Sequence, residues 1–275
     1  MKFVVFATPA FDFNVTLGYL ASALRTEKLL MDRRMSSGHI LVGGDPYLAK
    51  VRNVLVTRAL REYPDMTDFF FLDADIEWPA EAVLRLLDHP ADVVAGIYPK
   101  KNDTTEFPCE LEMQNGRLIE SDGWYKARAV PTGFLRIKRH VLEKMAAVNT
   151  VYDDGTGNMK HVHNIFQMGY CGDDAEKNEG KGQWWGEDYA WCRQWHNMGG
   201  DIWIWPDIEF GHRGGKTWRN NFAKSVKAFE KGDAIVRDLT APADTSPPVV
   251  AAVEPEAAAD FPLPSPPVKS NGVAL

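Results

Sequence analysis

Short apolar runs alternate with stretches of helical periodicity in the first part of the chain. The runs that read as strands are residues 3–7, 39–42, 69–72 and 92–98. The stretches that read as helices are residues 15–30, with Leu17, Leu20, Ala21 and Leu24 at helical spacing, a segment that opens at Asp45-Pro46, and residues 80–87. Strands and helices in this alternating order predict a mostly parallel sheet with right-handed crossovers.

Residues 68–79, D-F-F-F-L-D-A-D-I-E-W-P, carry the first candidate chemistry. Their apolar run is typical of a strand buried on both faces of a sheet. Asp73 and Asp75 follow it directly, at the C-terminal edge where open α/β sheets bind ligands, and Pro79 favours the start of a helix. Two hard oxygen ligands suit Mg²⁺ or Mn²⁺ with a phosphate-bearing substrate, whereas an isolated Asp-x-Asp is more often a solvated turn or a helix N-cap.

Two other segments are expected near the same edge. Residues 8–12 follow the first strand as a loop, which makes Thr8 and Pro9 candidate ligand contacts. The second predicted helix carries Arg52 near its start. Its apolar stripe consists of Val51, Val54, Leu55 and Ala59. Arg52 has two interpretations of equal weight: a solvated helix face, or a contact to a bound nucleotide or to an acid of the site.

The second half of the chain adds antiparallel pieces. Asn115-Gly116 is a strong hairpin signal between residues 107–113 and 117–120. Residues 127–137 are strand-like with a Pro-Thr-Gly interruption. The remaining predicted elements are helices over residues 139–147, 187–198 and 220–231, a strand over 202–205 and a glycine-rich loop over 208–218. The helix over 187–198 is predicted to turn Trp191, Cys192, Trp195 and Met198 inward and to end at Gly199-Gly200.

Residues 150–186 are long, polar and glycine-rich, without clear periodicity. A loop of that length is usually functional or disordered. Its His and Asp residues, which could form a second metal site, are His161, His163, Asp153-Asp154 and Asp173-Asp174. Because no ligand spacing is fixed among them, a solvated mobile loop is the favoured interpretation.

Composition and charge narrow the class of protein. With 275 residues, 45% hydrophobic and 25% charged, the chain has the composition of a globular protein. The net charge of −7 leaves no general basic field for nucleic acid, although a local patch is compatible with it. Three widely spaced cysteines, Cys109, Cys171 and Cys192, argue against a disulfide framework and indicate a reducing, cytoplasmic location. No transmembrane run or signal-peptide cleavage pattern is present in the sequence.

Four pieces of sequence stand in a fixed order along the chain. They are Asp73-Ala74-Asp75, Gly133 within V-P-T-G-F, Glu187-Asp188 after Trp184-Trp185-Gly186, and His212 in G-H-R-G-G-K. Together with V-A-G-I-Y-P-K-K and with G-E-D-Y-A-W-C-R-Q-W followed by G-G-D-I-W, they resemble the GT-A-fold glycosyltransferases, nearest to family 2-like members. The resemblance covers residues 1–220 and implies an α/β fold of GT-A type. Such a fold has a Rossmann-like, mostly parallel central sheet flanked by helices and a small antiparallel acceptor-side part.

The resemblance also implies how the chain is divided. Residues 1–240 would form one glycosyltransferase domain, with a donor half over residues 1–105 and an acceptor half over residues 106–240. From Ala241 the sequence is rich in proline and alanine with little apolar bulk. This composition predicts a disordered tail over residues 241–275.

A nucleotide-diphosphate sugar donor, such as a UDP- or GDP-sugar, and Mn²⁺ or Mg²⁺ are implied by the same resemblance. Asp75 would ligate the metal directly, Asp73 would contact the donor ribose or the metal through water, and His212 would be the third protein ligand. Taken alone, His212 would be interpreted as a structural histidine, but beside Asp-x-Asp the interpretation as a ligand is favoured. The leaving nucleoside diphosphate develops negative charge, which a metal and nearby cations stabilise. Arg213 and Lys216 are placed to add to this on a glycine-rich loop able to close over the donor.

Glu187 and Asp188 are expected in the first turn of a helix, where the helix dipole favours ionised carboxylates. That position alone would explain them. The family pattern, however, places a base at the Asp of this pair in inverting enzymes, which implies Asp188 as general base and Glu187 as an acceptor-orienting neighbour. The W-W-G-E-D run is also similar to the acceptor-side W-G-G-E-D of β-1,4-galactosyltransferases. Acceptor contacts are therefore expected from Trp184, Trp185 and Gly133.

The expected activity is metal-dependent transfer of a sugar to a hydroxyl of a glycan, a protein or a modified nucleic acid base. One alternative is nucleotidyl transfer or pyrophosphorolysis, which shares the sheet and the two acids. That chemistry usually needs a glycine- and lysine-rich loop after the first strand, where this chain has T-P-A-F-D. The other alternative is a non-catalytic nucleotide-sugar binding module, which would have no chemical need for Asp73, Asp75, His212 and Glu187-Asp188 all together.

Overall fold

The computed structural model describes residues 2–103, 106–155, 159–171 and 183–231. The chain divides into a first unit, Met1–Ile235, and a second unit, Val236–Leu275, and all the described residues belong to the first. The tail predicted over residues 241–275 and the pair Asp173-Asp174 lie outside the described residues, so both stay predictions. Within the described part of the chain, no helix combines the length and the apolar character needed to cross a bilayer.

Helices and strands alternate in the first half, and short strands dominate the second. The helices are α1 (Leu17–Asp32), α2 (Leu48–Glu62), α3 (Ala80–Asp88), α4 (Arg139–Val148), α5 (Glu187–Asn197) and α6 (Phe222–Glu230). The strands of the central sheet are β1 (Phe3–Ala10), β2 (Ser36–Gly43), β3 (Asp68–Leu72), β5 (Val93–Gly96), β6 (Glu110–Leu111), β9 (Glu120–Ser121), β10 (Trp124–Ala129), β11 (Phe134–Lys138) and β16 (Ile202–Trp205). The remaining strands are β4 (Ile76–Glu77), β7 (Met113–Gln114), β8 (Arg117–Leu118), β12 (Val151–Tyr152), β13 (Val162–His163), β14 (Gly169–Cys171), β15 (Gln183–Trp185), β17 (Glu209–Arg213) and β18 (Thr217–Asn221).

The central sheet has the spatial order β2-β1-β3-β11-β5-β16-β10-β6, with β9 paired to β10. Strands β2, β1, β3, β5 and β16 run in one direction, whereas β11 lies antiparallel between β3 and β5. An antiparallel part, β10 with β6 and β9, extends one side of the sheet. The predicted fold class is therefore confirmed: a mixed α/β protein whose mostly parallel sheet carries helices and a small antiparallel part.

Strand β3 is buried on both faces, as its apolar run predicts. Phe69 and Phe71 belong to one hydrophobic core, and Phe70 and Leu72 belong to the other. Helices α2, α4, α5 and α6 contribute to the first core, and α1 and α3 to the second. Because the strand is enclosed on both sides, its C-terminal end is a rigid place from which to present the acids that follow.

Helix α1 forms close to where it is predicted, but its apolar stripe does not face the core. Leu17, Leu20 and Leu24 are exposed, and the helix instead buries Tyr19, Ser22, Thr26 and Leu30. Ser22 and Thr26 form hydrogen bonds with the buried Trp78. The Ser22 hydroxyl donates to the Trp78 carbonyl at 2.7 Å and accepts from its backbone N–H at 3.0 Å. The Trp78 indole N–H donates to Thr26 at 3.0 Å, so the polar side of α1 is its inward side.

The prediction of a glycine-rich loop over residues 208–218 is wrong. Strands β17 and β18 pair antiparallel there, and β17 also pairs with β4, directly after the two acids. Phe210 is fully buried in the second core, which anchors β17, and only the turn between the strands is rich in glycine. The chain therefore returns to Asp75 as a hairpin rather than as a loop.

Several element ends also differ from the predictions. Asp45 does not cap α2, because the helix begins two residues after Pro46; the Asp45 carboxylate accepts from the Tyr47 N–H at 2.9 Å in the turn before it. Met198 is exposed at the C-terminal end of α5, whereas Trp191, Cys192 and Trp195 are buried as predicted. The predicted hairpin at Asn115-Gly116 is confirmed, with φ angles of 53° and 74° that favour Asn and Gly.

The described residues between 150 and 186 form paired strands, whereas the sequence favours a solvated mobile loop there. Strand β12 pairs with β13, and β14 pairs with β15. Asn53 of α2 holds this segment, because its amide donates to the Phe166 carbonyl at 3.0 Å and its side-chain oxygen accepts from the Phe166 N–H at 2.7 Å. Among the described residues, no three His, Cys, Asp or Glu side chains are grouped to hold a metal ion, so a second metal site at His161 and His163 has no support there.

Candidate functional site

The Asp73–Asp75 turn is fixed by backbone contacts from three directions. The Asp73 N–H donates to the Gly133 carbonyl at 3.0 Å, and the Arg213 N–H donates to the Asp75 carbonyl at 2.8 Å. The Thr16 N–H, at the start of α1, donates to the Ala74 carbonyl at 2.9 Å. Each contact comes from a segment that the fold brings to the C-terminal edge of β3. The geometry of the two acids is therefore set by the assembled sheet and not by the tripeptide itself.

Asp75 and His212 lie together, as the sequence predicts. The Asp75 Oδ1 and His212 Nε2 atoms are 3.6 Å apart. The other ring nitrogen, Nδ1, lies 2.7 Å from the Pro99 carbonyl and donates to it, which leaves Nε2 turned towards the carboxylate. Lys101 forms an ion pair with the second oxygen of Asp75. Burial alone would raise the pKa of Asp75, but the hydrogen bonds and charges of His212 and Lys101 outweigh it and hold the pKa below the ordinary value.

These two side chains fit a divalent cation. An octahedral ion bound at about 2.1 Å to two neighbouring ligands would hold them about 3 Å apart, close to the separation of Asp75 Oδ1 and His212 Nε2. The hydrogen bond to Pro99 orients the imidazole as is usual for metal-binding histidines. Two protein ligands would leave the other coordination positions of such an ion to water or to a bound ligand.

Asp73 has a different partner. Its Oδ1 atom accepts from Arg52 Nη2 at 3.2 Å, and a Cβ atom on Gly133 would lie 2.5 Å from its Oδ2 atom. Among the described residues no three potential ligands are grouped, so the expected part of Asp73 in a metal site stays a prediction. Gly133 was expected on the acceptor side, but the structure places it directly behind Asp73, where a side chain would not fit.

Arg52 joins the two predicted acid motifs. Its side chain is only 2% exposed, so the interpretation as a solvated helix face is wrong. Besides Asp73, its Nε atom donates to Glu187 Oε1 at 3.2 Å, and its guanidinium lies 5.1 Å from the centroid of the Phe71 ring. Burial opposes the charge of Arg52, but the two carboxylates outweigh it and raise the pKa. The second interpretation of Arg52, a contact to an acid of the site, is therefore the one that the structure supports. The Nη1 atom of Arg52 is buried without a partner among the described residues.

Glu187 and Asp188 occupy the first turn of α5, as predicted, after Gly186 as N-cap residue. The Asp188 Oδ1 atom accepts from the Tyr189 N–H at 2.8 Å. Burial, reinforced by the negative charge of Glu187, raises the pKa of Asp188 to about 6. A carboxylate with such a pKa can both accept a proton and release it near neutral pH, as a general base must.

Trp184 and Trp185 precede this helix on β15, which pairs with β14. Trp184 is exposed, so its ring face is open to a ligand. Trp185 is half-buried: its ring lies 6.2 Å from that of Tyr189, and the guanidinium of Arg193 lies 5.5 Å from it. Both tryptophans precede Glu187-Asp188 directly in the chain, and the exposed ring of Trp184 is the one that a ligand could reach.

Four other predicted site residues, Arg213, Lys216, Thr8 and Pro9, lie in different surroundings. Arg213 and Asp75 line one cleft of about 400 Å³ beside the start of α1. Lys216, in the turn between β17 and β18, forms an ion pair with Asp103 and does not line this cleft. Thr8 and Pro9 lie within β1, which runs to Ala10, so the prediction of a loop from residue 8 is wrong. Thr8 is buried and its hydroxyl pairs with Tyr19 at 2.6 Å, so only Pro9, half-buried, offers side-chain surface for a ligand there.

Two functional candidates were missed from the sequence. Lys101 neutralises Asp75, and Tyr98 is buried behind Asp73, where its hydroxyl accepts from the Gly133 N–H at 3.2 Å. Burial raises the pKa of Tyr98 well above the ordinary value, so its hydroxyl stays neutral. Both belong to Tyr-Pro-Lys-Lys after β5, and the position of this segment at the same sheet edge could have indicated them.

Comparisons with known proteins give weak likenesses. No protein-family model and no curated protein matches the sequence. Among solved structures, A197 from STIV is 15% identical, with 78% of this chain and 86% of that chain covered and a TM-score of 0.46. A glycosyltransferase involved in the glycosylation of the major capsid of PBCV-1 is 12% identical, with 51% and 62% covered and a TM-score of 0.31. The 4-diphosphocytidyl-2C-methyl-D-erythritolsynthase of Anaerococcus prevotii DSM 20548 is 13% identical, with 56% and 80% covered and a TM-score of 0.30. These likenesses are too weak to carry an argument about function, which must come from the site itself.

Proposed function

We propose that this protein is a metal-dependent glycosyltransferase that moves a sugar from a nucleoside-diphosphate donor to a hydroxyl acceptor with inversion. One observation carries the proposal: the Asp73–Asp75 motif, proposed to hold the cation, and the Glu187-Asp188 pair, proposed to hold the base, are joined by one buried side chain. Arg52 connects them through Asp73 and Glu187. Sugar transfer has two requirements: cations that stabilise the leaving group, and a base that takes the proton from the nucleophile.

On the donor side, the site supplies positive charge to a diphosphate. Asp75 and His212 would hold Mn²⁺ or Mg²⁺, which when bound supplies charge stabilisation to the departing diphosphate. Arg213 lies on the wall of the cleft beside Asp75, and Lys101 is already in contact with that carboxylate. Lys216 lies in the turn between β17 and β18 and would add a further cation when this hairpin approaches the donor.

On the acceptor side, Asp188 takes the proton from the acceptor hydroxyl. The acceptor oxygen forms the new bond to the anomeric carbon, and the bond to the diphosphate breaks with its electron pair leaving on the nucleoside diphosphate. Glu187 is held by Arg52 and is therefore a positioning residue for this end of the site. Trp184 offers the exposed ring against which an acceptor glycan, or another flat acceptor such as a modified base, would stack.

Titration calorimetry with UDP and GDP, in Mn²⁺ and in EDTA, tests the donor half of the proposal. We expect metal-dependent binding that is lost in Asp75→Asn and in His212→Ala. Equal affinity with and without the metal would overturn the proposed donor site. Release of nucleoside diphosphate from a panel of nucleotide sugars then tests the reaction, and release of pyrophosphate in its place would indicate nucleotidyl transfer instead.

A further inference from the structure

The cleft of about 400 Å³ beside Asp75 extends beyond the proposed cation site. It follows the paired strands β4 and β17. At one end the Arg213 N–H contacts the Asp75 carbonyl, and at the other Gly211 lies opposite Glu77. The first end would hold the metal and the diphosphate, whereas the second end has no part in the mechanism proposed above. A ligand whose diphosphate lies at the first end would place its next chemical group at the second.

Glu77 is the acid of this second end, and the backbone approaches it from two sides. Its Oε2 atom accepts from Arg219 Nη2 at 2.6 Å, and 35% of its side chain is exposed. A Cβ atom on Gly18, at the start of α1, would lie 2.8 Å from Oε2, and a Cβ atom on Gly211 would lie 3.2 Å from it. The two glycines therefore let α1 and β17 close on the carboxylate, which fixes its place on the wall of the cleft.

The side chains around Glu77 are of the types that bind a sugar ring. A carboxylate can accept from several donors at once, so Glu77 can accept from ring hydroxyls in addition to Arg219. Thr16 and Thr217 add hydroxyl groups to the same cleft. Leu17, 81% exposed, adds an apolar wall against which the C–H face of a ring can pack.

Two other parts of a nucleotide fit this end less well. The negative charge of Glu77 would repel a further phosphate group. Among the described residues that line the cleft, none is aromatic, so a base would find no ring on which to stack. A neutral group rich in hydroxyls is the remaining chemistry that the lining favours.

We infer that this end of the cleft receives a sugar ring attached to the diphosphate, and that Glu77 is the residue that recognises its hydroxyl groups. The inference rests on the proposed function, because it takes the diphosphate to lie at Asp75 and Arg213. A nucleotide sugar carries two such rings, the ribose and the transferred sugar, and both present neighbouring hydroxyls. A site built to hydrogen-bond a hydroxyl rejects the analogue that lacks it, so Glu77 would determine specificity.

Calorimetry of the full-length protein and of Glu77→Gln, in Mn²⁺, tests the inference and identifies the ring. The ligands are UDP, 2′-deoxy-UDP and UDP-glucose, with GDP, 2′-deoxy-GDP and GDP-mannose in parallel. If the transferred sugar occupies the cleft, the variant should bind the nucleotide sugar about tenfold or more weakly and the nucleoside diphosphate unchanged. If the ribose occupies it, the variant should bind the nucleoside diphosphate about tenfold more weakly, with a much smaller loss for the 2′-deoxy ligand.

A structural role of Glu77 would give a different result. Gln can still accept from Arg219, so the variant should keep its melting temperature. The matched control is Glu209→Gln, which removes the same charge from an exposed position of β17 outside the cleft and should leave all affinities unchanged. If Glu77 only fastened the hairpin through Arg219, Glu77→Gln would weaken every ligand by the same factor, and that result would overturn the inference.

The remaining outcomes separate this inference from the proposed function. Full affinity of Glu77→Gln for all six ligands would overturn the role of Glu77 and leave the proposed donor site in place. A parent protein that binds none of the six ligands in Mn²⁺ would overturn the donor site and this inference with it.

Discussion

Replacing Asp188 by Asn should make the protein more stable at neutral pH while removing the proposed transfer activity. The pKa of Asp188 is raised from 3.8 to about 6, first by burial and then by the charge of Glu187. As pH rises, the unfolded chain ionises this group near its ordinary pKa, whereas the folded protein keeps the proton until about pH 6. Unfolding therefore becomes progressively more favourable between these values, and above them the folded state carries the whole penalty.

The size of the penalty follows from the shift. A difference of about two pKa units corresponds to about 3 kcal/mol of unfolding free energy. Asparagine does not titrate, and its side-chain oxygen can still accept from the Tyr189 N–H that Asp188 contacts at 2.8 Å. The variant should therefore equal the parent near pH 3.5 and exceed its stability by up to about 3 kcal/mol at pH 8.

Urea unfolding of both proteins at these two pH values measures the difference. The matched control is Glu81→Gln, which removes an exposed acid from the first turn of α3 and should cost about 0.3–1 kcal/mol at pH 8. In single-turnover transfer, Asp188→Asn should be slower by about 10²–10⁴-fold. A variant that is no more stable at pH 8 would refute the burial argument, and near-normal transfer by the folded variant would remove Asp188 from the mechanism.

Three further predictions concern neighbouring residues. Arg52→Met should lower the free energy of unfolding by about 3–5 kcal/mol, because it leaves the carboxylates of two motifs without their buried cation. Arg58→Met, on the exposed side of the same helix, should lower it by about 0.5 kcal/mol or less, and urea unfolding measures both. Gly133→Ala should destabilise by about 1–3 kcal/mol, since its Cβ would meet an Asp73 oxygen at 2.5 Å, while Gly215→Ala, with open space around it, should be neutral. Asp75→Asn should abolish the metal-dependent part of nucleoside diphosphate binding in calorimetry and leave the melting temperature nearly unchanged; full retention of that binding would contradict the proposed role.

The local signals of the sequence predicted most elements of the fold. The run before Asp73 is a strand buried on both faces, and Asn115-Gly116 forms the expected turn. These features depend on residues that are adjacent in the chain, so their patterns can be interpreted without knowing the tertiary contacts. The proximity of Asp75 and His212 was anticipated only because the resemblance to a family supplied the long-range pairing.

Features decided by distant partners could not be predicted in the same way. Helix α1 turns its apolar stripe outward because Trp78, 56 residues away from Ser22, needs hydroxyl partners. The buried state of Arg52 depends on Glu187, which is 135 residues away. A helical pattern shows that a stripe exists, but the neighbours that decide which side is buried come from elsewhere in the chain.

Long-range contacts also connect the proposed donor and acceptor sides of the site, so we expect the two sides to respond together. Asp73, in the part of the chain predicted to bind the donor, is fixed by the Gly133 carbonyl and by Arg52. Arg52 in turn holds Glu187, whose charge is one cause of the raised pKa of Asp188. A donor or metal that repositions Asp73 would therefore act, through one buried guanidinium, on the carboxylate pair expected to receive the acceptor proton. Because the Arg52 side chain is rigidly enclosed, this coupling needs no large movement of the fold.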